Sequence, residues 1–547
     1  FFVLVMFQQT VRPFKSSVDA RSDDFKEKYN SMMTLVHELE ENLKESLWQG
    51  KESHIKRHLK AGRLLARDRI ELLLDEDSPF LELLPLAGFG QDNSTAGASL
   101  VAGIGLVCGV ECIITANVNT IKGGSVNEAT LLKSSRLAEI SIENRLPTIS
   151  LIQSAGADLS QQEKVFHKGG AQFRDLARRS KRAIPTISVV FGSSTAGGAY
   201  LPGMSDYTIM VKNQAKVFLG GPPLVQMATG EIVDDETLGG ADMHSKVSGV
   251  SDFLAKSEYD ALRQAREIIA NLNYKKNTPL PDENLFGTIV EEPLYDPDEI
   301  LGIVSSDIRF PFDVKEIIAR IVDGSRFTEF KPFYGTTLVT CWGKIHGIPV
   351  GILANNGVLF SEAAQKGTQF IQLCNQKNVC LIFLQNITGF MVGKKYEQEG
   401  IIKYGSQLIN AVSNSTVPAI TIVIGASYGA GNYGMCGRAY EPRFLFSWPN
   451  SKCSVMGPDQ LSGVLDIVLR EAAQRAGRKV NEEMAEAQKS MMRKMVEDTS
   501  NVYYTSSRCI DDGIIDPRDT RTVIGMCLSS IYSQTVEGGN LYGISRM

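Results

Sequence analysis

The chain of 547 residues contains one pattern twice. Residues 184–200, IPTISVVFGSSTAGGAY, align with residues 417–433, VPAITIVIGASYGAGNY. In each copy a β-branched apolar run reaches a glycine, Gly192 or Gly425, and a segment of small residues follows. An apolar strand that enters a glycine-rich turn before a helix leaves backbone N–H groups without intrahelical acceptors. Such groups can stabilise a developing oxyanion, so two copies predict two polarised carbonyl oxygens.

Other positions of the two halves match at a similar offset. The offset runs from 232 residues, between Gln153 and Gln385, to 248 residues, between Asp75 and Asp323. Two unrelated α/β domains that merely share apolar periodicity are the alternative, but they would not hold such a steady offset. The further matched positions are Phe80 with Phe327, Glu82 with Glu329, and GGPP at 220–223 with MGPD at 456–459.

Short β-rich runs alternate with helical segments after a charged, helical stretch at residues 20–75. This alternation is typical of βαβ units and predicts an α/β fold. The runs are 111–118, 127–146, 148–156 and 186–192. We expect a disordered tail or presequence remnant at 1–19, an N-terminal domain at 20–280, a Pro-rich and acidic linker at 281–298, and a C-terminal domain at 299–547.

Composition excludes several classes of protein. The net charge is −5, which gives no basic footprint for nucleic acid. Apolar runs stay shorter than the ~20 residues that span a bilayer, so we expect no membrane partner. The nine cysteines include no C-x-x-C pair and are expected to be reduced core residues. Residues 7–22 carry three basic side chains and three serines, with no acid before Asp19, which favours the mitochondrial matrix over a bacterial cytoplasm.

Side chains that could act as catalytic groups are sparse. His54 and His58 have H-x-x-x-H spacing, but Lys56 and Arg57 between them would repel a metal ion, so a solvated helix face is expected. The sequence has no G-x-S-x-G elbow and no phosphate-binding loop ending in G-K-[ST]. Backbone donors alone suit enolate chemistry, where each N–H contributes about 2.7–4 kcal/mol to stabilising the oxyanion.

Long motifs then relate the chain to a known family. The chain resembles the carboxyltransferase (β) subunits of biotin-dependent acyl-CoA carboxylases, most closely those of the methylcrotonyl-CoA type, from about residue 50 to Met547. The motifs are STAGGAY at 194–200, GGPPLVQMATGE at 220–231, and three runs at 357–374, 383–401 and 425–450. The resemblance implies two tandem crotonase-like domains related by internal duplication. It also implies an active site between the N-domain of one subunit and the C-domain of another.

The resemblance assigns roles by position. Gly197 and Gly198 would hold the enolate oxygen of the acyl-CoA, and Ala430 and Gly431 the ureido oxygen of biotin. Carboxybiotin would release CO₂ and its N1′ would take the substrate proton, and no metal is expected. The remaining expected substrate-binding residues are Gly156, Ala157, Ala199, Lys122 and Lys133, the two lysines being candidates for the CoA phosphates. The remaining expected biotin-binding residues are Gly389, Phe390, Gly429 and Tyr433.

A biotinylation motif A-M-K-M and an ATP-grasp loop are missing from the sequence. The resemblance therefore implies a biotinylated biotin-carboxylase α subunit that carries biotin covalently and uses ATP and bicarbonate. It also implies a β6 core within an α6β6 assembly.

The acyl substrate is expected to be 3-methylcrotonyl-CoA from leucine degradation, carboxylated to 3-methylglutaconyl-CoA by this ligase. Residues 385–390, QNITGF, agree with the methylcrotonyl enzymes, where propionyl-type enzymes have D-V-P-G-F. Residues 153–158, QSAGAD, and the stretch 159–183 depart from them, so propionyl, geranyl or longer acyl groups remain alternatives. Other classes left open are a crotonase-fold enoyl-CoA hydratase or isomerase, a decarboxylase of a sodium pump, and a non-catalytic scaffold.

Overall fold

Each half of the duplicated pattern folds around one mixed β-sheet. The computed structural model describes residues 11–274, 290–477, 480–539 and 543–546. The first sheet is built from β1 Leu81–Glu82, β2 Leu100–Val107, β3 Val110–Asn117, β4 Thr148–Ser154, β5 Thr186–Thr195, β6 Tyr207–Val211, β7 Lys216–Phe218 and β8 Phe253–Ala255. The second is built from β9 Phe327–Glu329, β10 Leu338–Ile345, β11 Ile348–Asn355, β12 Cys380–Ile387, β13 Ala419–Tyr428, β14 Phe444–Ser447 and β15 Lys452–Ser454.

The two sheets share one topology. The first runs β1-β2-β3-β4-β5-β6-β8 with β7 beside β5, and the second runs β9-β10-β11-β12-β13-β14 with β15 beside β13. In both, an antiparallel hairpin is followed by parallel strands. Glu82 pairs with Gly103 and Glu329 with Cys341 at the same place in their sheets. The predicted duplication and the α/β crotonase-like fold are therefore confirmed.

Strand register corrects one matched pair. Ser154 pairs with Ser194 and Ile387 pairs with Ser427, and both β4 and β12 have a register irregularity just before this point. The counterpart of Gln153 is therefore Asn386, and the counterpart of Gln385 is Ile152. The match of Gln153 with Gln385 was wrong by one residue, which in a strand places the two side chains on opposite faces.

Helices cover the sheets and join them. The N-terminal half contains α1 Asp23–Ser46, α2 Glu52–Lys60, α3 Ala66–Leu73, α4 Glu128–Asn144, α5 Gln162–Lys181, α6 Tyr200–Met204, α7 Pro222–Thr229, α8 Asp235–Gly239, α9 Ala241–Met243 and α10 Glu258–Asn271. The C-terminal half contains α11 Ile300–Ile303, α12 Val314–Ala319, α13 Ser361–Gln376, α14 Lys394–Gln398, α15 Ile401–Ser413, α16 Ala430–Gly434, α17 Pro458–Arg475, α18 Glu482–Ser500, α19 Val502–Ser506 and α20 Thr520–Ile531. Helices α7 and α17 both begin at proline, at the matched GGPP and MGPD segments, because proline suits the first helical position.

The segment that precedes α1 packs against the C-terminal half. Phe14 stacks on Phe327 with ring centroids 5.5 Å apart, and Ser16 Oγ donates to Glu316 at 2.6 Å. Residues 11–19 of the predicted tail thus contact the C-terminal half, while 1–10 lie outside the described residues. Residues 281–289 of the predicted linker also lie outside them. The predicted domain boundaries stay predictions.

A buried ion pair joins the two halves. Arg136 of α4 donates through Nε to Asp512 Oδ1 at 2.8 Å, and both side chains are almost fully buried. Asp512 also accepts from Arg438 at 2.8 Å. Because an unpaired charge at this depth is strongly unfavourable, the pair fixes how the first half sits on the second.

Two negative expectations can be compared with the structure. All nine cysteines are unpaired, and six of them are buried, as expected of reduced core residues. None of the described helices combines the length and the apolar character that crossing a bilayer requires.

Candidate active site

The first predicted donor turn lies where β5 ends. The strand runs into a 3₁₀ turn, Ala196–Ala199, which continues into α6. Ala196 has a left-handed φ of 54°, and its counterpart Gly429 in the second half has a φ of 59°. A β-carbon built on Gly198 would lie 3.6 Å from Ser194 Oγ, and one on Gly197 would lie 3.6 Å from the Phe173 ring. The glycines therefore face open space rather than packed backbone.

A second segment, the loop after β4, lies against this turn. Thr195 Oγ1 donates to Ala155 O at 3.0 Å, and a β-carbon on Gly156 would lie 3.2 Å from Thr195 O. Gly156 has a φ of 90°, which favours glycine. Among the described residues, no acceptor pairs with the N–H of Ala157 or of Gly197. The loop and the turn together bring unpaired backbone donors to one place.

The second half repeats the arrangement. Leu359 N donates to Gly389 O at 3.2 Å, as Val126 N donates to Gly156 O at 2.9 Å in the first half. A β-carbon on Gly431 would lie 3.3 Å from Gly389 Cα, so the Gly389–Phe390 loop touches the second turn. Within the described part of the chain, the N–H groups of Phe390, Ala430 and Gly431 have no acceptor. These paired loops and turns are called the first and second donor sites below.

Aromatic side chains at the second donor site differ in exposure. Phe390 is half-buried, and β-carbons on Gly405 and Gly434 would lie within 3.3 Å of its ring. Its ring therefore packs beneath the turn, and its main chain faces the site. Tyr433 is 46% exposed, with its ring 5.6 Å from that of Tyr440. Gly429 donates its N–H to Ser454 O at 3.0 Å, which ties the turn to β15.

Two expected substrate contacts lie in the core. Lys133 is fully buried and donates to Leu100 O at 2.6 Å, and this burial lowers the pKa of Lys133 to about 8. The prediction that Lys133 contacts a CoA phosphate was wrong, because its ammonium group is enclosed by the carbonyl oxygens of the protein. Ala199 is 7% exposed and packs against Val190 and Met210, so its side chain supports the turn from below.

Lys122 lies beside the first donor site. Its side chain is 53% exposed, its Nζ donates to Asn93 O at 3.1 Å, and Asp158 Oδ2 lies 3.7 Å away. The neighbouring Gly123 O accepts from Ala155 N at 2.9 Å, which connects Lys122 to the loop that carries Gly156.

A basic pocket extends from Lys122 to α2. Its volume is about 380 Å³. His54 Nδ1 lies 3.2 Å from Thr120 O, and His58 is 8% exposed with Nε2 3.0 Å from Leu64 O. Burial lowers the pKa of His58. The lining residues are His54, Arg57, His58, Ala61, Arg63, Asn119, Thr120, Lys122 and Gly123.

The expectation of a solvated helix face was therefore wrong for His58, and sequence reasoning missed the pocket. The basic run HIKRHLKAGR at 54–63 was the available signal. The described residues contain no group of three or more potential metal ligands.

Each donor turn is packed within its own half of the chain. The first turn contacts β5, β7 and α6, and the second contacts β12, β13 and α15. Two such sites of neutral backbone donors, one on each sheet, are suited to an enzyme that polarises two carbonyl oxygens.

Comparisons with known proteins relate the chain to a family of carboxyltransferases. The sequence matches the carboxyl transferase domain over residues 57–539. It is 55% identical over 97% of its length to the whole of a probable biotin-dependent acyl-coenzyme A carboxylase beta2 subunit of Mycobacterium tuberculosis. It is 48% identical over 97% of its length to 95% of a probable mitochondrial methylcrotonoyl-CoA carboxylase beta chain of Drosophila melanogaster. The structure matches the beta subunit of geranyl-CoA carboxylase from P. aeruginosa with a TM-score of 0.89 and 41% identity, over 98% of this chain and 100% of that one.

The chain belongs to the carboxyl transferase family and is a carboxyltransferase of the biotin-dependent acyl-CoA carboxylases. The predicted class of enzyme is thereby confirmed in place of a hydratase or isomerase.

Proposed function

We propose that this chain transfers CO₂ from N1′-carboxybiotin to an acyl-CoA enolate, with one carbonyl oxygen held at each donor site. The observation that supports this is the repetition of unpaired N–H groups, on a loop and on a turn, in both halves. Neutral donors suit a thioester oxygen that gains charge during the reaction and a ureido oxygen that is uncharged before it.

The second donor site fits biotin on structural grounds. A β-carbon on Gly389 would meet no atom within 4 Å, so the space beside the donor is open. Phe390, Ala430 and Gly431 would hold the ureido oxygen through their N–H groups. Bound carboxybiotin would supply the CO₂, and the N1′ of the biotin that remains would be the base. The protein therefore needs no catalytic histidine or carboxylate of its own.

The first donor site would act on the thioester. Ala157 and the Gly197–Gly198 turn hold the thioester oxygen and stabilise the negative charge that develops when the acyl group loses a proton. Each donor of this kind contributes about 2.7–4 kcal/mol to catalysis.

The basic pocket would hold the phosphorylated nucleotide of CoA. Arg57, Arg63 and Lys122 line it, and Lys122 adjoins the loop that leads to Gly156. Guanidinium and ammonium groups bind phosphates through charge-assisted hydrogen bonds. This assignment replaces Lys133 and retains Lys122.

For the acyl group we propose 3-methylcrotonyl-CoA, with geranyl-, propionyl- or longer-chain acyl-CoA as alternatives. The name of the Drosophila relative and the QNITGF motif support methylcrotonyl, while the structural relative acts on geranyl-CoA. Helix α5, where the sequence departs from methylcrotonyl enzymes, places Phe173 beside Gly197. This helix would therefore select the acyl chain.

We further propose that biotin is carried by a biotinylated biotin-carboxylase α subunit, which uses ATP and bicarbonate, and that six β subunits form the core of an α6β6 assembly. Exposed apolar side chains on helices of both halves support self-association. They include Met227 on α7 and Ile467 on α17, which are 78% and 59% exposed. The mitochondrial matrix is the proposed location, with a bacterial cytoplasm as the alternative.

One experiment tests the function. The chain is reconstituted with a biotinylated biotin-carboxylase subunit and assayed for fixation of radiolabelled bicarbonate with methylcrotonyl-, propionyl-, acetyl- and geranyl-CoA. We expect the highest kcat/KM with methylcrotonyl-CoA and no fixation by the isolated chain. Fixation by the chain alone would contradict the division between subunits, and a preference for geranyl-CoA would overturn the substrate proposal only.

A further inference from the structure

The two donor turns are held in place by different interactions. In the second half, Gln385 Nε2 donates to Met435 O at 2.6 Å, and Ser427 Oγ donates to Gln385 Oε1 at 2.7 Å. Asn432 Nδ2 donates to Ser427 Oγ at 2.7 Å. These three side chains are called the polar chain below. Gln385, Ser427 and Met435 are completely buried.

The polar chain encloses the second donor turn. Ser427 lies on β13 just before Ala430 and Gly431, Asn432 follows them within α16, and Met435 comes directly after that helix. Gln385 lies on β12, four residues before Gly389. The amide of Gln385 therefore links both segments of the second donor site, the Gly389–Phe390 loop through its own strand and the Ala430–Gly431 turn through hydrogen bonds.

The first half has no such arrangement at the matching positions. By strand register the counterpart of Gln385 is Ile152, and by the steady offset between the halves the counterpart of Asn432 is Ala199. Ser194, the counterpart of Ser427, donates directly to Gly198 O at 2.9 Å. Pro202 O, the counterpart of Met435 O, accepts from Thr208 Oγ1 at 2.6 Å. At these matching positions the first turn is thus held by separate hydroxyl groups and not by one connected chain.

We propose that Gln385, Ser427 and Asn432 are positioning residues that hold the donors of the second site, and that they serve this half of the reaction only. The proposal rests on the proposed function, because it takes the second site to bind the ureido oxygen. Donors act on a transition state when they are already oriented, and a displacement of about 1 Å can cost ~100-fold in rate. A buried amide whose oxygen and nitrogen are both paired within a connected chain orients a turn more firmly than separate hydroxyl groups do.

The test introduces the residues of the first half into the second. Asn432→Ala copies Ala199 and removes one end of the polar chain, while the buried Gln385–Ser427 bond remains. Gln385→Ile copies Ile152 and removes the hydrogen bonds to Ser427 and to Met435 O. Ser194→Ala, with Ser427→Ala as its match, makes the same change in both halves. Each variant is assembled with the α subunit, and its thermal unfolding is recorded first.

Kinetics are measured in the reverse direction, from the carboxylated acyl-CoA to free biotin. We expect Asn432→Ala and Ser427→Ala to raise KM for biotin or lower kcat by at least about fivefold, with KM for the acyl-CoA within about twofold of the wild type. Ser194→Ala should instead change KM for the acyl-CoA. The double variant Ser427→Ala with Gln385→Ile should lose no more activity than the less active of the two single variants. Both substitutions interrupt the same polar chain, so their effects should not add.

Two results would overturn the proposal. One is that the Asn432→Ala and Ser427→Ala variants both fold and both have wild-type kcat and KM values. The other is an equal rise of both KM values, which would indicate a general loss of structure. Ala430→Pro, which removes a donor N–H itself, separates this failure from failure of the proposed function. If Ala430→Pro stays fully active, the second site does not use that donor at all.

Discussion

Asp75 and Asp323 make the same two hydrogen bonds in the two halves of the chain. Each carboxylate accepts from two consecutive backbone N–H groups in the tight turn of its hairpin, and an arginine from a later helix pairs with it. The bonds join Asp75 to Cys108 at 2.8 Å and Gly109 at 2.7 Å, and Asp323 to His346 at 2.9 Å and Gly347 at 2.7 Å. The arginines are Arg266, at 2.8 Å, and Arg521, at 2.7 Å.

The two aspartates differ in burial, which gives a prediction on stability. The Asp323 side chain is 9% exposed and that of Asp75 is 24% exposed. We expect Asp323→Ala to lower the free energy of unfolding by about 3 kcal/mol, because it removes the carboxylate that pairs with the buried Arg521 and leaves two buried N–H groups without an acceptor. Asp75→Ala should cost about 1–2 kcal/mol. Chemical denaturation of the two variants would contradict this if Asp75→Ala proved the more damaging.

Removing the open space at the first donor turn should abolish transfer without unfolding the protein. A β-carbon on Gly198 would meet Ser194 Oγ at 3.6 Å, an ordinary contact. Gly198→Val should therefore fold and lose at least about 100-fold in kcat, since a side chain occupies the place of the thioester oxygen. Wild-type transfer in a folded Gly198→Val protein would refute the assignment.

Gly431 does not allow the same experiment. A β-carbon there would lie 2.5 Å from Ile387 Cγ1, so a larger residue must displace the completely buried Ile387 side chain. We therefore expect the fold to accept a side chain at Gly198 and to be destabilised by one at Gly431. Circular dichroism of Gly198→Val and Gly431→Val should show a native fold for the former and a lower melting temperature for the latter.

The sequence was sufficient to predict the main-chain conformation of the donor turns but not the side-chain contacts around them. An apolar strand that ends in a glycine-rich segment has a characteristic local main-chain conformation. The residues around Gly197 and Gly431 are therefore enough to predict the two turns. The enclosure of Lys133 depends on how α4 lies over β2, which no local pattern records. The basic pocket likewise arises where α2 meets the loop at 119–123, far away in the chain. The pairing of Gln153 with Gln385 failed because the counterpart of Gln385 is the chemically different Ile152.

Substitutions in the basic pocket should weaken the binding of substrates that carry the CoA nucleotide and of no others. Arg57→Ala and Arg63→Ala should raise KM for the acyl-CoA about tenfold, because each loses a phosphate contact. The same variants should leave KM for the corresponding acyl-pantetheine unchanged, since that substrate lacks the nucleotide. Lys60→Ala, an exposed lysine of the same helix outside the pocket, is the matched control. Equal effects on both substrates would place the nucleotide elsewhere.

Phe173 should limit the length of the acyl group. Its ring lies 3.6 Å from the position of a β-carbon on Gly197 and packs edge-on against Tyr200, with centroids 5.7 Å apart. Phe173→Ala opens space beside the first donor turn, so the ratio of kcat/KM for geranyl-CoA to that for methylcrotonyl-CoA should rise at least about tenfold. Leu176→Ala, a buried change one turn further along α5, controls for loosening of the helix. An unchanged ratio in Phe173→Ala would show that the acyl chain lies elsewhere.

Asp511 should make stability depend on pH in a defined direction. Its side chain is 1% exposed, and burial raises the pKa of Asp511 to about 6. A carboxyl group whose pKa is raised on folding favours the folded state at low pH. That contribution is lost as pH rises from the unfolded value of about 3.9 through about 6. At neutral pH the ionised carboxylate is therefore a cost to folding.

Asp511→Asn removes this titration. The variant's gain in stability over the wild type should increase by about 1 kcal/mol between pH 5 and pH 7.5, since the wild type ionises inside the core over that range. Asp498→Asn, at an exposed position of α18, should show no such trend. Denaturation midpoints of the three proteins at both pH values are the measurement. A gain that stays constant with pH would mean that Asp511 is already ionised at pH 5, held by the neighbouring Arg438 despite its burial.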